Sequence, residues 1–439
     1  MTKADMRPLS LGMNIRLSTM MFLQYAIWGA WLPFLWSFLA GHRGMSPAEI
    51  GNMFAVGAVG AIVGPFIVGQ IADRHMATQK VLGVSHLIGA LLIWQLAWVD
   101  SYTGFLIFSG LYGLVYTPTM SLTNSLAFHH LPDRDRDFGR VRLWGTFGWI
   151  VVGLAMGQWL ALQHTPSEGS AELILAQQAA GKADAFRLSA ILGAFMGLFC
   201  FSLPDTPPVK DEKKNAALQA MGSIKRQPLL TLFLLAVPIS CIHHFYFVHT
   251  DSFLSAKNLA APDWVSAVFG AGGGGLMTVG QMSEVLVLAL LPTISKRFSR
   301  KALLATGILA YAARMALFAY VDVIALPSMV TLLLGIALHG VCFGAFIFVA
   351  FMIVDEETSF EVRASAQSLF NLVIVGVGVI LGSKLAAWVA EYASSESGID
   401  YGKLFRAPMW GSLACLLALL LFYPSHSRSS VDSPLAQPD

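Results

Sequence analysis

The feature that most constrains this chain is a series of apolar runs, each about 20 residues long, which is the length a helix needs to cross a bilayer. Residues 369–382 and 410–423 are the cores of two such runs and carry no charged side chain. Because lipid satisfies no backbone hydrogen bonds, membrane spans are either helices or closed barrels. The runs do not alternate between apolar and polar at every second residue, so they predict helices.

The composition points to the same solvent. Only 12% of the 439 residues are charged and 56% are hydrophobic, whereas a typical soluble domain carries about 25% charged residues. So few charges cannot cover a water-facing surface, and we predict an all-α integral membrane protein in contact with the lipid bilayer. The net charge of +2 is spread over short loops and does not indicate a nucleic-acid partner.

We predict twelve transmembrane helices. The positive-inside rule tests this map, because cytoplasmic loops carry an excess of Lys and Arg. With both termini in the cytoplasm, 20 of the 28 Lys and Arg residues fall on cytoplasmic segments, 6 on outer segments and 2 inside spans. This asymmetry supports both the number of spans and their orientation. The predicted spans are 15–40, 49–72, 79–99, 103–129, 141–163, 187–204, 228–254, 264–293, 301–322, 325–354, 362–391 and 405–424.

A polar connection at 205–227 divides the spans six and six. We interpret it as a cytoplasmic linker between an N-terminal half, 1–204, and a C-terminal half, 228–424. The segment 425–439 is rich in Ser and Pro and is predicted to be a disordered tail. Two six-helix halves are typical of transporters in which the substrate site lies between the halves at the bilayer midplane.

Ionisable side chains inside spans are the first candidates for function, because a charge in hydrocarbon is destabilising unless it is used or paired. Glu284, Arg314 and His339 lie deep in the eighth, ninth and tenth spans. Gln281 shares a helical face with Glu284, since three residues separate them. A carboxyl group there can carry a proton when neutral and accept hydrogen bonds when ionised. The alternatives are that Glu284 only pairs with Arg314, and that His339 is a hydrogen-bonded core residue.

The fifth span begins with a second polar face. Arg142, Thr146 and Trp149 recur at i, i+4 and i+7 and therefore face the same way. The ring can stack on a sugar or a nucleobase, and the guanidinium can bind hydroxyl or carbonyl oxygens. Snorkelling of Arg142 to the interface and packing of Trp149 are the alternatives. Gly145 and Gly148 predict close helix packing beside this face.

Other motifs exclude several classes of protein. The seventh span ends with His243, His244 and His249, but their spacing does not place a pair on one helical face, so no metal site is predicted. The glycine run 272–275 lies inside a span, so it is helix-packing or hinge material and not a phosphate loop. No nucleophile–base constellation and no cofactor motif indicates an enzyme. The four cysteines lie in apolar runs and are predicted to be core residues.

The sequence resembles the nucleoside–proton symporter family of the major facilitator superfamily. Gly69, Asp73 and Arg74 look like that superfamily's loop signature, and by this resemblance Asp73 and Arg74 have a conformational role. The likeness is densest in Phe22–Trp31, Pro118–Ser125, Arg142–Thr146, Gln281–Glu284, Ala313–Tyr320 and Arg363–Gln367.

The resemblance implies the major facilitator fold and proton-coupled nucleoside uptake across the cell inner membrane. A monomer without cofactors would use the proton gradient as its driving force. Glu284 and His339 would couple protons, and Arg314 would stabilise the site. The implied substrate-site residues are Arg142, Thr146, Trp149, Gln281, Glu284, His339, Phe343, His244 and Phe247, with Gln24 and Trp28 as further candidates lining a cavity.

The sequence departs from the family in two spans. His244 and Phe247 stand where the family has amides, and His339 and Gly344 stand where it has a tyrosine and an aspartate. The fifth span also looks like that of oligosaccharide–proton symporters, although Cys342 replaces their second carboxylate. A sugar or oligosaccharide symporter is therefore the alternative, followed by a membrane sensor that does not transport.

Overall fold

The computed structural model describes residues 9–74, 76–207, 222, 224–258, 262–359, 362–396 and 398–424. Apart from one two-residue pair of strands, β1 (Ser394–Ser395) and β2 (Gly398–Ile399), the regular structure of this part is helical. Eleven of its helices are long and apolar enough to cross a membrane.

The N-terminal half consists of helices that run alternately between the two ends of a bundle. They are α1 (Leu11–Trp31), α2 (Leu35–Gly41), α3 (Pro47–Arg74), α4 (Thr78–Leu96), α5 (Tyr102–His130), α6 (Arg134–Gln163), α7 (Ala171–Gly181) and α8 (Ala183–Cys200).

The C-terminal half repeats this arrangement. Its helices are α9 (Leu229–Asn258), α10 (Asp263–Phe269), α11 (Gly274–Ile294), α12 (Arg300–Ala319), α13 (Ser328–Cys342), α14 (Val349–Glu356), α15 (Arg363–Asn371), α16 (Gly378–Ala393) and α17 (Tyr401–Phe422). A π-helical segment joins α13 to α14 at Phe343–Phe348, and another joins α15 to α16 at Leu372–Val377.

The twelfth span is α1, which is less apolar than the other eleven. It carries Asn14, Arg16 and Gln24 among its apolar residues, which lowers its hydropathy. It nevertheless packs along α6 and α8 inside the same bundle. At Leu32–Phe34 the chain passes through a short 3-10 turn with Pro33 and continues as α2. The predicted first span, 15–40, thus corresponds to two helices in line.

Glycines set the distance between α1 and α6. A Cβ atom on Gly148 would lie 2.2 Å from the backbone oxygen of Phe22, and one on Gly29 would lie 2.8 Å from the ring of Trp149. Only a residue without a side chain fits at such a close approach. The predicted close packing beside Gly145 and Gly148 is confirmed, and it positions the polar face of α6 against α1.

The structure corrects the sequence map at two places. The predicted eighth span, 264–293, is broken at residues 270–273, because Gly270 and Gly272 adopt positive φ angles of 74° and 77° that favour glycine. The polar insert 164–186 contains α7, which packs on α2. Most of the predicted linker and the tail 425–439 lie outside the described residues, so both stay predictions.

One end of the bundle holds the two halves together. We call it the sealed end; it carries the connections 42–46, 97–101, 164–182 and 320–327, and the opposite, terminal end carries residues 9 and 424. Between described residues of the two halves, every hydrogen bond and ion pair lies at the sealed end. These contacts are Ser37–Asp251, Lys182–Asp251, Lys182–Ser255, Gln158–Ala267, Gly157–Ala271 and Asn52–Lys384.

The strongest of these contacts is a buried ion pair. Lys182, from the junction of α7 and α8, places its Nζ atom 2.7 Å from the carboxylate of Asp251 on α9. The two side chains are only 2% and 0% exposed. Ser37 donates to the same carboxylate, and the backbone N–H of Gly273 donates to its other oxygen at 3.1 Å. These hydrogen bonds offset part of the cost of burying the pair.

We predict that Asp251→Asn destabilises the protein, because Lys182 would remain buried without a counter-charge. Removing one partner of a buried pair costs about 3–5 kcal/mol. The thermal midpoint of the detergent-solubilised protein, followed by tryptophan fluorescence, should fall markedly.

The matched control is Asp322→Asn, which removes the carboxylate of the exposed Lys257–Asp322 pair. Exposed pairs contribute about 0–1 kcal/mol, so this midpoint should scarcely move. Equal, small shifts in both variants would contradict the role given to the buried pair.

Candidate functional site

The C-terminal half contributes a chain of three ionisable side chains from three helices. Arg314 on α12 places its NH1 atom 3.0 Å from Nδ1 of His339 on α13. Nε2 of His339 lies 3.7 Å from the carboxylate of Glu284 on α11. Arg314 and His339 are fully buried, while the side chain of Glu284 keeps 13% of its surface exposed. The side chain of Glu284 is therefore the most accessible member of the chain.

Hydrogen-bond chemistry assigns the tautomer of His339. A guanidinium can only donate, so Nδ1 of His339 accepts from Arg314. A neutral imidazole then carries its proton on Nε2, the atom that faces Glu284. The cation of Arg314 also lies over the rings of Tyr246 and Tyr311, at 4.3 and 5.1 Å from their centroids. These rings stabilise the buried guanidinium, which no carboxylate of the described residues contacts directly.

The N-terminal half contributes the face predicted on α6. The guanidinium of Arg142 lies 3.8 Å from the ring centroid of Tyr25 on α1. Trp149 packs edge-on against Trp28, with centroids 5.6 Å apart. Arg142 is half-buried, in keeping with a position inside the bundle.

Aromatic rings connect the two faces across the interface between the halves. Trp149 lies 5.9 Å from Phe247 on α9, and Phe247 lies 5.6 Å from His339. His243, one turn before Phe247 on α9, contacts both His339 and Phe343. Phe343 begins the π-helical segment after α13, and π-helical turns are frequent at functional sites. The arrangement offers flat apolar walls beside one carboxyl group and several N–H donors.

Other predicted residues lie in different surroundings. His244 is buried and contacts Ser383 on α16 and Phe54 on α3. Gln24 is fully buried inside the N-terminal half, where its Nε2 donates to Thr119 on α5 and its Oε1 accepts from Nε2 of His86 on α4 at 3.0 Å. Gln281 is buried with its Oε1 atom unpaired among the described residues. Thr146 is buried on α6.

Two further sequence predictions concern Gly344 and the pair Asp73 and Arg74. A Cβ atom on Gly344 would lie 2.6 Å from a side-chain methyl group of Val287 on α11, so an acidic side chain fits at that position only if Val287 shifts. Asp73 and Arg74 end α3, but their side chains lie outside the described part of the chain, so their conformational role stays a prediction.

Sequence reasoning missed His243 and Tyr311 as members of this cluster. The hydroxyl of Tyr311 on α12 lies 2.7 Å from Nδ1 of His243. The spacing of four residues between His243 and Phe247 places both on one face of α9, and this was the available signal. In the described part of the chain, no group of three or more His, Cys, Asp or Glu side chains is placed to hold a metal ion.

Comparisons with known proteins match nearly the whole chain. A family model described as nucleoside H+ symporter matches residues 11–427. YegT of Escherichia coli K12, provisionally described as a nucleoside transporter, is 34% identical over 92% of this chain and 91% of its own. Xanthosine permease of the same strain is 27% identical over 94% and 96%. A crystal structure of nucleoside transporter NupG has a TM-score of 0.76, with 25% identity over 93% of this chain and 98% of that one.

These matches test three of the sequence predictions: the fold, the absence of enzymatic activity and the class of substrate. The similarity to NupG extends over both halves, which confirms the predicted fold. The family and the structural neighbour are transporters, so the prediction that this chain is not an enzyme is confirmed. Between the two classes of substrate that the sequence left open, the family model selects nucleosides over oligosaccharides.

Proposed function

Because this chain belongs to the nucleoside H+ symporter family, we propose that Glu284 carries the proton whose movement drives nucleoside uptake. The nucleoside binds between the halves, against Arg142 and Trp149 on one side and Phe247, His339 and Glu284 on the other. We further propose that the protein lies in the cell inner membrane with both termini in the cytoplasm and the sealed end on the outer side. A monomer suffices for transport, without any cofactor.

The observation that carries this proposal is the convergence of the two faces. Arg142 and Trp149 come from the N-terminal half, Glu284 and Phe247 from the C-terminal half, and a ring contact of 5.9 Å joins them. A nucleoside combines a flat base with a hydroxyl-rich sugar. Rings stack on the base, while a guanidinium and a carboxylate bind hydroxyl groups.

The mechanism follows from the cost of moving a charge through a low-dielectric interior. An ionised Glu284 opposes closure of the halves around it, because taking a charge out of water into a low-dielectric interior is destabilising. A proton on Glu284 removes that penalty. The two halves of the protonated, nucleoside-loaded carrier can then rock about the nucleoside site between them, which we call the central site. This motion exposes the site alternately at the two ends of the bundle. Contacts at the sealed end hold one limit of this motion.

The energy of the gradient is sufficient for concentrative uptake. One proton moving inward gains about 2.3 kcal/mol per 100 mV of membrane potential. Since each 1.4 kcal/mol is a factor of ten, this corresponds to roughly fiftyfold accumulation.

We predict that Glu284→Gln binds nucleoside but cannot accumulate it. Glutamine keeps the shape and can accept a hydrogen bond, but it takes up no proton at ordinary pH. In proteoliposomes, a pH gradient should drive labelled uridine into vesicles with the unmodified chain and not with the variant. Exchange of internal for external uridine should continue in both.

The control is Glu391→Gln, an exposed acid near the end of α16, which should accumulate uridine normally. Gradient-driven accumulation by Glu284→Gln would contradict the proton-carrying role. If lactose or maltose, and not uridine, accumulated in the unmodified chain, a sugar symporter would replace the proposal, and no uptake of either would favour a sensor.

We predict that Arg142→Ala and Trp149→Ala each weaken uridine binding by about tenfold or more. The first removes charged donors and the second removes a stacking face worth about 1–3 kcal/mol per base. Binding to the purified variants can be measured by calorimetry, with Trp410→Ala, which changes a lipid-facing ring on α17, as the control. Unchanged affinity in both variants would place the substrate elsewhere.

A further inference from the structure

His243 stands in the central site with one ring nitrogen occupied and the other free. Nδ1 is 2.7 Å from the hydroxyl of Tyr311, while Nε2 has no hydrogen-bond partner among the described residues. The side chain is half-buried, and the rings of His339, Phe247 and Phe343 surround it at centroid distances of 5.3 to 6.3 Å. Nε2 is therefore available to a ligand that enters between these rings.

The buried hydroxyl of Tyr311 fixes which proton His243 presents. Its contact with His243 is the only hydrogen bond found for it among the described residues, and Tyr311 is fully buried. If Nδ1 carried the proton, the hydroxyl proton of Tyr311 would be left without an acceptor, which costs about 1–3 kcal/mol. The favoured arrangement has Tyr311 donating to Nδ1. The free Nε2 atom then carries a proton and acts as a donor.

The neighbouring polar groups on this side of the site also present hydrogen-bond donors. Arg314 fixes the tautomer of His339 in the same way, so its Nε2–H also points away from α12, toward Glu284. The C-terminal half thus sets two imidazole N–H donors side by side, with ring centroids 5.3 Å apart. One of them faces the carboxyl group, and only that of His243 remains free for the substrate.

We propose that His243 determines base specificity: its Nε2–H donates to a carbonyl oxygen on the edge of the base. The inference rests on the proposed nucleoside site and names the class of base that it takes. Bases that carry an oxo group where their counterparts carry an amino group are favoured: uracil over cytosine, and hypoxanthine over adenine. An amino group there would set donor against donor and leave both without acceptors.

Such a mismatch discriminates strongly, because a site that offers a fixed hydrogen-bonding group rejects the analogue that cannot pair with it. We expect uridine to compete at least tenfold better than cytidine for labelled uridine uptake, and inosine to compete better than adenosine. A preference in either pair is the signature of the fixed donor.

Two variants separate specificity from packing. His243→Phe keeps a ring among the neighbouring rings but removes the donor, so the preference for oxo bases should disappear. Tyr311→Phe leaves His243 intact but frees its Nδ1 atom. The imidazole can then present either a donor or an acceptor at Nε2, and the ratio of cytidine to uridine inhibition constants should fall toward one. A purely structural role would lower uptake of all nucleosides without changing this ratio.

His42→Gln is the matched control, because His42 is exposed at the sealed end, and it should keep the ratio of the unmodified chain. Equal inhibition within both pairs in the unmodified chain, or an unchanged ratio in His243→Phe, would overturn the inference. As long as the unmodified chain takes up uridine, either result leaves the proposed function standing. Should His243→Phe fail to fold, the ratio in Tyr311→Phe decides alone. If the unmodified chain takes up no nucleoside at all, the proposed function fails first.

Discussion

The ion pair between Lys182 and Asp251 is the contact on which the observed arrangement of the halves depends. Two fully buried charges from different halves meet at the sealed end, and a hydroxyl and a backbone N–H complete the shell of the carboxylate. A buried pair is stable only while both partners stay together. Opening this end must hydrate both charges at once, so the pair favours either a closed or a fully open end over intermediate positions.

The central site follows a different rule of charge balance. Arg314 is buried next to His339, and the next acid in the chain of contacts is Glu284, on the far side of the His339 imidazole. Aromatic rings contribute part of the stabilisation of the guanidinium. Its charge therefore does not depend on Glu284 alone, and the acid can gain and lose a proton without leaving the cation unsupported. This separation is what we expect of the proposed proton-carrying acid, in contrast to an acid held permanently in a salt bridge.

The sequence predicted the fold well because the bilayer imposes a strong and simple pattern. Runs of about 20 apolar residues and the distribution of Lys and Arg were sufficient for the twelve spans. The helical spacing of Arg142, Thr146 and Trp149 also identified a face that the structure places beside α1. Periodicity carries no information about partners on distant helices, however. Lys182 was assigned only to an outer segment, and nothing in its neighbourhood indicates that it pairs with Asp251, 69 residues away.

The same limit explains why His243 was missed, and α9 shows what the pattern does contain. His243, Phe247 and Asp251 follow one another at intervals of four residues, so they lie along one side of the helix. That side contributes the proposed base-reading donor, the ring that contacts Trp149, and the carboxylate that closes the sealed end. The single helix α9 thus contributes both to the proposed nucleoside site and to the ion pair at the sealed end. A rotation of α9 that parts Asp251 from Lys182 must also move His243 and Phe247, so occupancy of the site and closure of the sealed end share a mechanical connection.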